Sequence, residues 1–163
     1  MLAVMKRNMK NEKGLTLIEL LAVVVILGII AAIAVPSIGG LIDNSKKDAH
    51  VANAQQMVNS AKTWVAGNAS EIAAGGSKTL SLTDFYTEGL VDNPMKDPDG
   101  ETYTKGTAGT TDGSYVTITK SATNQYTYEV KLMNGTRGIW VDDPTNELKR
   151  ANVVPVAGLT AAK

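Results

Sequence analysis

An α+β fold, a long N-terminal helix packed on a small antiparallel β-sheet head, is predicted by three stretches of the 163-residue chain. From Leu20 to Ile42 there are 23 consecutive residues without a charge. From Ile38 to Val65 apolar residues recur at three- and four-residue steps, the period of one helix face. From Tyr115 to Val141 three β-branched and aromatic runs are separated by turn residues, the pattern of short strands.

The charge-free run, as a helix rising about 1.5 Å per residue, is roughly 35 Å long, enough to cross a bilayer core of about 30 Å. It is too long for the apolar region of a secretory signal peptide and lacks a small-x-small site before a polar start. The first fourteen residues carry Lys6, Arg7, Lys10 and Lys13 against Glu12 alone, and such a cationic flank stays cytoplasmic. Removing that head leaves a mildly acidic body in a chain whose total is balanced at 16 basic and 16 acidic groups. Within the run Gly28 and Pro36 mark points of weakness. Pro36 cannot donate to the carbonyl of Ala32 and is expected to kink or loosen the helix.

Beyond Pro36 the pattern becomes amphipathic. Ile38, Leu41, Ile42, Val51, Ala54, Met57, Val58, Ala61, Trp64 and Val65 share a face, with Asp43, Lys46, Lys47, Asp48, Asn53, Gln56 and Lys62 between them. Gly67-Asn68 is the expected stop. The whole reads as one helix of about fifty residues, roughly 75 Å.

Glu19 is the anomaly. A carboxylate among LTLI and LLAVVVIL costs on the order of 2.5–3.5 kcal/mol at bilayer centre, less toward an interface. A cut after Gly14 would give Leu15 a new α-amino group, four residues before Glu19 and on the same helix face. The two charges would then pair, within one subunit or between neighbours, because an unpaired buried charge is strongly penalised.

The segment KGLTLIELLAVVVILGIIAAIAVPSI resembles the N-terminal segment of type IV pilins, competence pilins and type II secretion pseudopilins. About thirty residues carry the resemblance: a basic leader ending in Gly14, a Glu at the fifth position after it, then an apolar helix with Gly28 and Pro36. The resemblance implies a leader, 1–14, removed by a membrane prepilin peptidase between Gly14 and Leu15. It implies N-methylation of Leu15 by the same enzyme and a contact from Glu19 to the N-terminus of an adjacent subunit during assembly. It implies that the helix between Gly28 and Pro36 can unwind as subunits pack. Position 15 is Leu where the family usually has Phe, and a start at Met9 instead of Met1 or Met5 would leave the short leader MKNEKG. The expected parts are the leader, a transmembrane and assembly helix over 15–42, and a soluble head over 43–163.

In the head, Ala69–Thr79 reads as a small-residue loop, and Ser81-Leu-Thr-Asp84 caps a short helix ending before Gly89. Asn93–Gly113, rich in Pro, Gly and Asp, reads as irregular. Strands are expected over Tyr115–Thr119, Gln125–Leu132 and Gly138–Val141. In the middle one Tyr126, Tyr128, Val130 and Leu132 share a face, and Asn134-Gly135 turns the chain into the third. The amphipathic helix half covers the apolar face of the sheet. The small apolar tail after Arg150 either adds an edge strand or stays mobile.

Several chemistries are excluded or left bare. No cysteine is present, so thiolate metal sites and cysteine nucleophiles are out. A lone histidine, His50, argues against a His-based catalytic or zinc centre, and it is expected to be solvated beside Lys46 and Lys47. No nucleophile motif or phosphate loop organises the remaining polar residues, so no enzymatic activity is expected. Two carboxylate groups are candidate Ca²⁺ ligands: Asp92, Asp97 and Asp99 in NPMKDPDGETY, and Asp142, Asp143, Asn146 and Glu147 in DDPTNE. The second is favoured by position, because major pseudopilins use a calcium-stabilised loop near the C-terminal end. Trp140 is expected to pack against the helix. No basic stripe with interleaved aromatics is visible, so direct nucleic-acid binding is not expected.

The resemblance implies a structural subunit of a type IV pilus-like filament, for motility, adhesion or DNA uptake. A type II secretion major pseudopilin, or a minor or tip pilin acting as a binding module, are the alternatives. Its partners would be further copies of itself, the prepilin peptidase and an inner-membrane assembly platform. It would sit in the cytoplasmic membrane, N-terminus inside, before assembly and in an extracellular or envelope-spanning filament afterwards.

Overall fold

In the computed structural model, residues 16–142 and 148–161 are described. The leader 1–14, the cleavage pair Gly14 and Leu15, and the calcium candidates Asp143, Asn146 and Glu147 lie outside them. The chain divides into two compact units between Ile42 and Asp43.

The first unit is helical. Helix α1 runs Leu17–Asn68 without interruption, with Pro36 inside it. From Leu17 to Ile42, sixteen large apolar side chains are exposed. The segment is long and apolar enough to cross a membrane.

The second unit is the α+β head. It comprises the rest of α1, then β1 (Ser77–Ser81), α2 (Leu82–Thr87), β2 (Tyr115–Lys120), β3 (Tyr126–Met133), β4 (Arg137–Val141) and β5 (Val153–Pro155). The strands form one antiparallel sheet in sequential order, β1-β2-β3-β4-β5. On α1, Ala54, Met57, Val58, Ala61, Trp64 and Val65 are buried. They share a core with Val116, Ile118, Tyr128, Val130, Leu132, Ile139, Val141 and Val153 from the sheet. Fully burying an aliphatic side chain of this size contributes about 1.5–3 kcal/mol, so this seam is a major source of the head's stability.

Short range rules account for the small elements. Ser81 accepts from the Asp84 amide, and Asp84 accepts from the Ser81 amide at 2.8 Å, so α2 begins on a capping box. The stretch 93–113 holds no helix or strand. It is pinned instead by Thr104 N–H to the Met133 carbonyl, Ser114 N–H to the Thr104 carbonyl, and the Thr83 hydroxyl to the Gly106 carbonyl. Gly106 and Gly113 meet so closely there that a Cβ on Gly113 would lie 2.4 Å from the Gly106 nitrogen.

Three expectations change. Part of the predicted loop 69–79 is strand β1, whose pairing with β2 overrides a polar, Lys- and Thr-containing sequence. The Asn134-Gly135 turn does join β3 to β4, yet neither residue has a positive φ. The Asn134 side chain itself closes the turn, its Oδ1 accepting from the amides of Thr136 at 2.8 Å and Arg137 at 2.7 Å. Trp140 does not pack on the helix. In β4 it is Ile139 and Val141 that enter the core, and alternation turns Trp140 to the other face. There its Nε1 donates to Glu129 Oε1 at 2.8 Å, and Lys131 Nζ lies 5.1 Å from its ring centroid.

Candidate functional site

The start of α1 is organised around Glu19. Thr16 donates to Glu19 Oε2 through both its amide and its hydroxyl, each at 2.7 Å, while the Glu19 amide donates to Thr16 Oγ1 at 3.3 Å. This is the reciprocal Thr-x-x-Glu capping box, which satisfies the free amides of a first turn. The sequence TLIE signals it, but attention to the charge alone overlooks it. Glu19 therefore has donors in its own chain before any neighbour is considered. The distance from Glu19 to the Leu15 nitrogen falls outside the described residues. Gly28 has nothing within 4 Å of where a Cβ would be, and α1 is continuous through both Gly28 and Pro36.

A second polar centre lies inside the head. His50 is fully buried, a correction to the solvated position expected from its lysine neighbours. It projects from the core side of α1 in step with Ala54 and Met57, so the helix face decides its environment and the adjacent charges do not. Its Nε2 lies 2.8 Å from Asp99 Oδ2 and 3.7 Å from Asp97 Oδ1. Its Nδ1 lies 2.8 Å from the Tyr103 hydroxyl, which also accepts from Asn53 Nδ2 at 2.9 Å. A ring carrying hydrogen on Nε2 and accepting at Nδ1 satisfies both contacts; this assignment follows from the network.

Asp99 is the hub. Besides His50, its Oδ2 accepts from Asn134 Nδ2 at 3.3 Å and lies 2.9 Å from Arg137 Nε. That last contact is an ion pair whose angle falls short of a hydrogen bond. Lys46 Nζ stands 3.4 Å from the other oxygen. Burial alone would push the Asp99 carboxyl upward. Hydrogen bonds from His50 and Asn134 and the charge of Arg137 outweigh it and hold the group below its ordinary range. Arg137 also reaches Asp43 Oδ1 at 2.8 Å, and that hydrogen bond, with Lys47 second, lowers Asp43 to about 2. Burial drives the Tyr103 hydroxyl far above its ordinary range.

The ligand atoms of His50, Asp97 and Asp99 lie within 4.8 Å of one another, close enough in principle for one metal ion. The surrounding charges are wrong for it. Arg137 and Lys46 already sit against Asp99, and a cation at Nε2 would displace the hydrogen His50 gives to Asp99. The cluster reads as a polar network, hydrogen-bonded except at Arg137 Nε, that joins α1, the 97–103 loop and the β3–β4 turn. Of the first predicted carboxylate group, Asp97 and Asp99 enter this cluster while Asp92 is exposed. Of the second, Asp142 is exposed and its companions lie outside the described residues. Arg150 clasps Asp48 through two hydrogen bonds at the surface.

The fold is thus that of a protein with an N-terminal helix long and apolar enough to cross a membrane, followed by an α+β head. Residues 9–35 match the family model of the prokaryotic N-terminal methylation motif. The chain thus carries the signature of type IV pilin and pseudopilin precursors. No solved structure matches the chain.

Proposed function

We propose that this protein is a structural subunit of a type IV pilus-like filament, cut between Gly14 and Leu15 by a prepilin peptidase and N-methylated on Leu15. The observation that carries the proposal is the methylation motif over residues 9–35 running into the apolar start of α1, where Glu19 is the one charged residue between Leu17 and Ile42. The apolar helix fits anchoring in the membrane before assembly. Assembly replaces lipid contacts along residues 17–42 with close protein packing, the force available between helices in an apolar medium. Glu19 supplies specificity. Its capping bonds to Thr16 leave carboxylate lone pairs for a neighbour's N-terminal ammonium, so the charge is held by its own helix first and shared on assembly.

Mass spectrometry of the N-terminal peptide from fibres sheared off cells tests this. An N-methylated peptide beginning at Leu15, abundant in the fibres, supports a processed major pilin. The same peptide confined to the membrane fraction moves the assignment to a pseudopilin or minor subunit. Protein that keeps residues 1–14 in every fraction ends the proposal.

A further inference from the structure

The one Asn-Gly step of the sequence, Asn134-Gly135, closes the β3–β4 turn and is hydrogen-bonded at both polar atoms of the Asn134 side chain and at the Gly135 amide. Asn134 is fully buried. Its Nδ2 donates to Asp97 Oδ2 at 2.8 Å and to Asp99 Oδ2 at 3.3 Å. Its Oδ1 accepts from two backbone amides, and the Gly135 amide donates to Glu101 Oε2 at 3.1 Å. Glu101 is anchored in turn by the Thr136 hydroxyl, 2.5 Å from its Oε1.

Asn-Gly is the dipeptide most prone to intramolecular ring closure, because glycine's nitrogen has no side chain beside it. The Gly135 nitrogen attacks Asn134 Cγ, forming an N–C bond. The Cγ–Nδ2 bond breaks, and Nδ2 leaves as ammonia with the proton given up by the Gly135 amide. Water then opens the cyclic imide at either carbonyl, leaving aspartate or isoaspartate. No other reactant is needed.

We infer that Asn134 is a latent self-modification site that the folded head holds shut, Glu101 retaining the attacking amide and Asp97 with Asp99 retaining the leaving group. The attack needs the Gly135 nitrogen turned onto Cγ, and both are fixed by bonds that only local opening of the turn releases. The product is incompatible with the site. A carboxylate at position 134 has no hydrogen to give Asp97, so two negative oxygens would meet where a hydrogen bond of 2.8 Å now stands. Modification during an opening therefore opposes reclosure, and the modified fraction is a cumulative record of how often this end of the head has opened.

The test uses the full chain in detergent micelles, incubated at mildly alkaline pH either folded or in denaturant. The peptide spanning Leu132 to Arg137 is then quantified by mass spectrometry for the one-dalton gain and for isoaspartate. The folded protein is expected to convert more slowly than the denatured one by on the order of tenfold or more. Glu101→Ala should speed conversion in the folded head and leave the denatured rate unchanged. Equal rates in folded and denatured parent protein overturn the inference outright, whatever the variant does. A Glu101→Ala protein that is folded by circular dichroism and converts at the parental rate removes Glu101 from the role. An Asn134→Asp protein that melts with the parent overturns the claim that modification opposes reclosure.

Discussion

One helix, α1, lives in two environments. Between Leu17 and Ile42 it exposes sixteen large apolar side chains. Between His50 and Val65 it buries seven residues against a core and turns Gln55, Gln56, Asn59 and Lys62 outward. The backbone is the same in both. The first part is uniformly apolar around its circumference, as a helix surrounded by lipid or by other helices must be. The second is two-faced because its neighbours are a sheet on one side and water on the other. Polar groups follow the same division. In the first part the Glu19 carboxylate accepts from Thr16 alone among the described residues, whereas the head surrounds Asp99 with four donors or cations. A variant's consequence should therefore depend on which part it falls in.

The largest expected contrast is Glu19→Ala. Cleavage after Gly14 should persist and the head should melt unchanged, while fibres become few. Abundant fibres by electron microscopy would remove the charge from the assembly account. Next, Phe85→Ala should destabilise the head by about 3–5 kcal/mol, as deleting a fully buried aromatic ring does. Val25→Ala should shift the same denaturation curve by less than about 0.5 kcal/mol. If the two variants cost the head equally, the division between the parts is wrong. Asp99→Ala leaves His50 Nε2 without its acceptor and Arg137 without a counter-charge, and is expected to cost about 3 kcal/mol. A head that denatures like the parent would mean the cluster is ornamental.

Acid separates the parts by charge. Asp43 and Asp112 sit at about 2, against an ordinary 3.8, Asp43 through Arg137 and then Lys47, Asp112 through the Thr110 hydroxyl and then Thr107. Asp48, Asp84 and Asp99 are lowered too. Folded values below unfolded ones mean that the unfolded chain takes up protons first. The contribution is complete above about pH 4 and is lost as pH falls toward about 2. The head's melting temperature should fall across that window. A flat profile would show that these pairs contribute nothing. Among the head variants the smallest effect is Ser81→Ala, about 1 kcal/mol from the lost cap of α2, read from the same denaturation curve.

Much of this architecture is legible in residue order because local rules write it. The stop at Asn68, the Ser81–Asp84 cap and the alternation of Tyr128, Val130 and Leu132 each depend on neighbours within a few positions. What was missed depends on partners far along the chain. Strand β1 contains one strongly apolar residue, Leu80, and exists because β2 pairs with it. Trp140 faces away from the helix because the register places Ile139 and Val141 inward, and nothing in the run GIWV says which face is the core.

By itself, the sequence determined the apolar first part of the long helix with Glu19 as its one carboxylate, the motif over residues 9–35 and the α+β class, since hydropathy, period and spacing are properties of residue order. Only the tertiary structure decided that His50, flanked by lysines, is buried, that it meets Asp97, Asp99 and Tyr103, and that Asn134 and Arg137 reach the same Asp99 carboxylate. Those residues stand 47 to 87 positions away from it in the chain. Burying the apolar face of α1 on the sheet carries His50 inside, and a buried imidazole requires partners that only folding can bring within 3 Å.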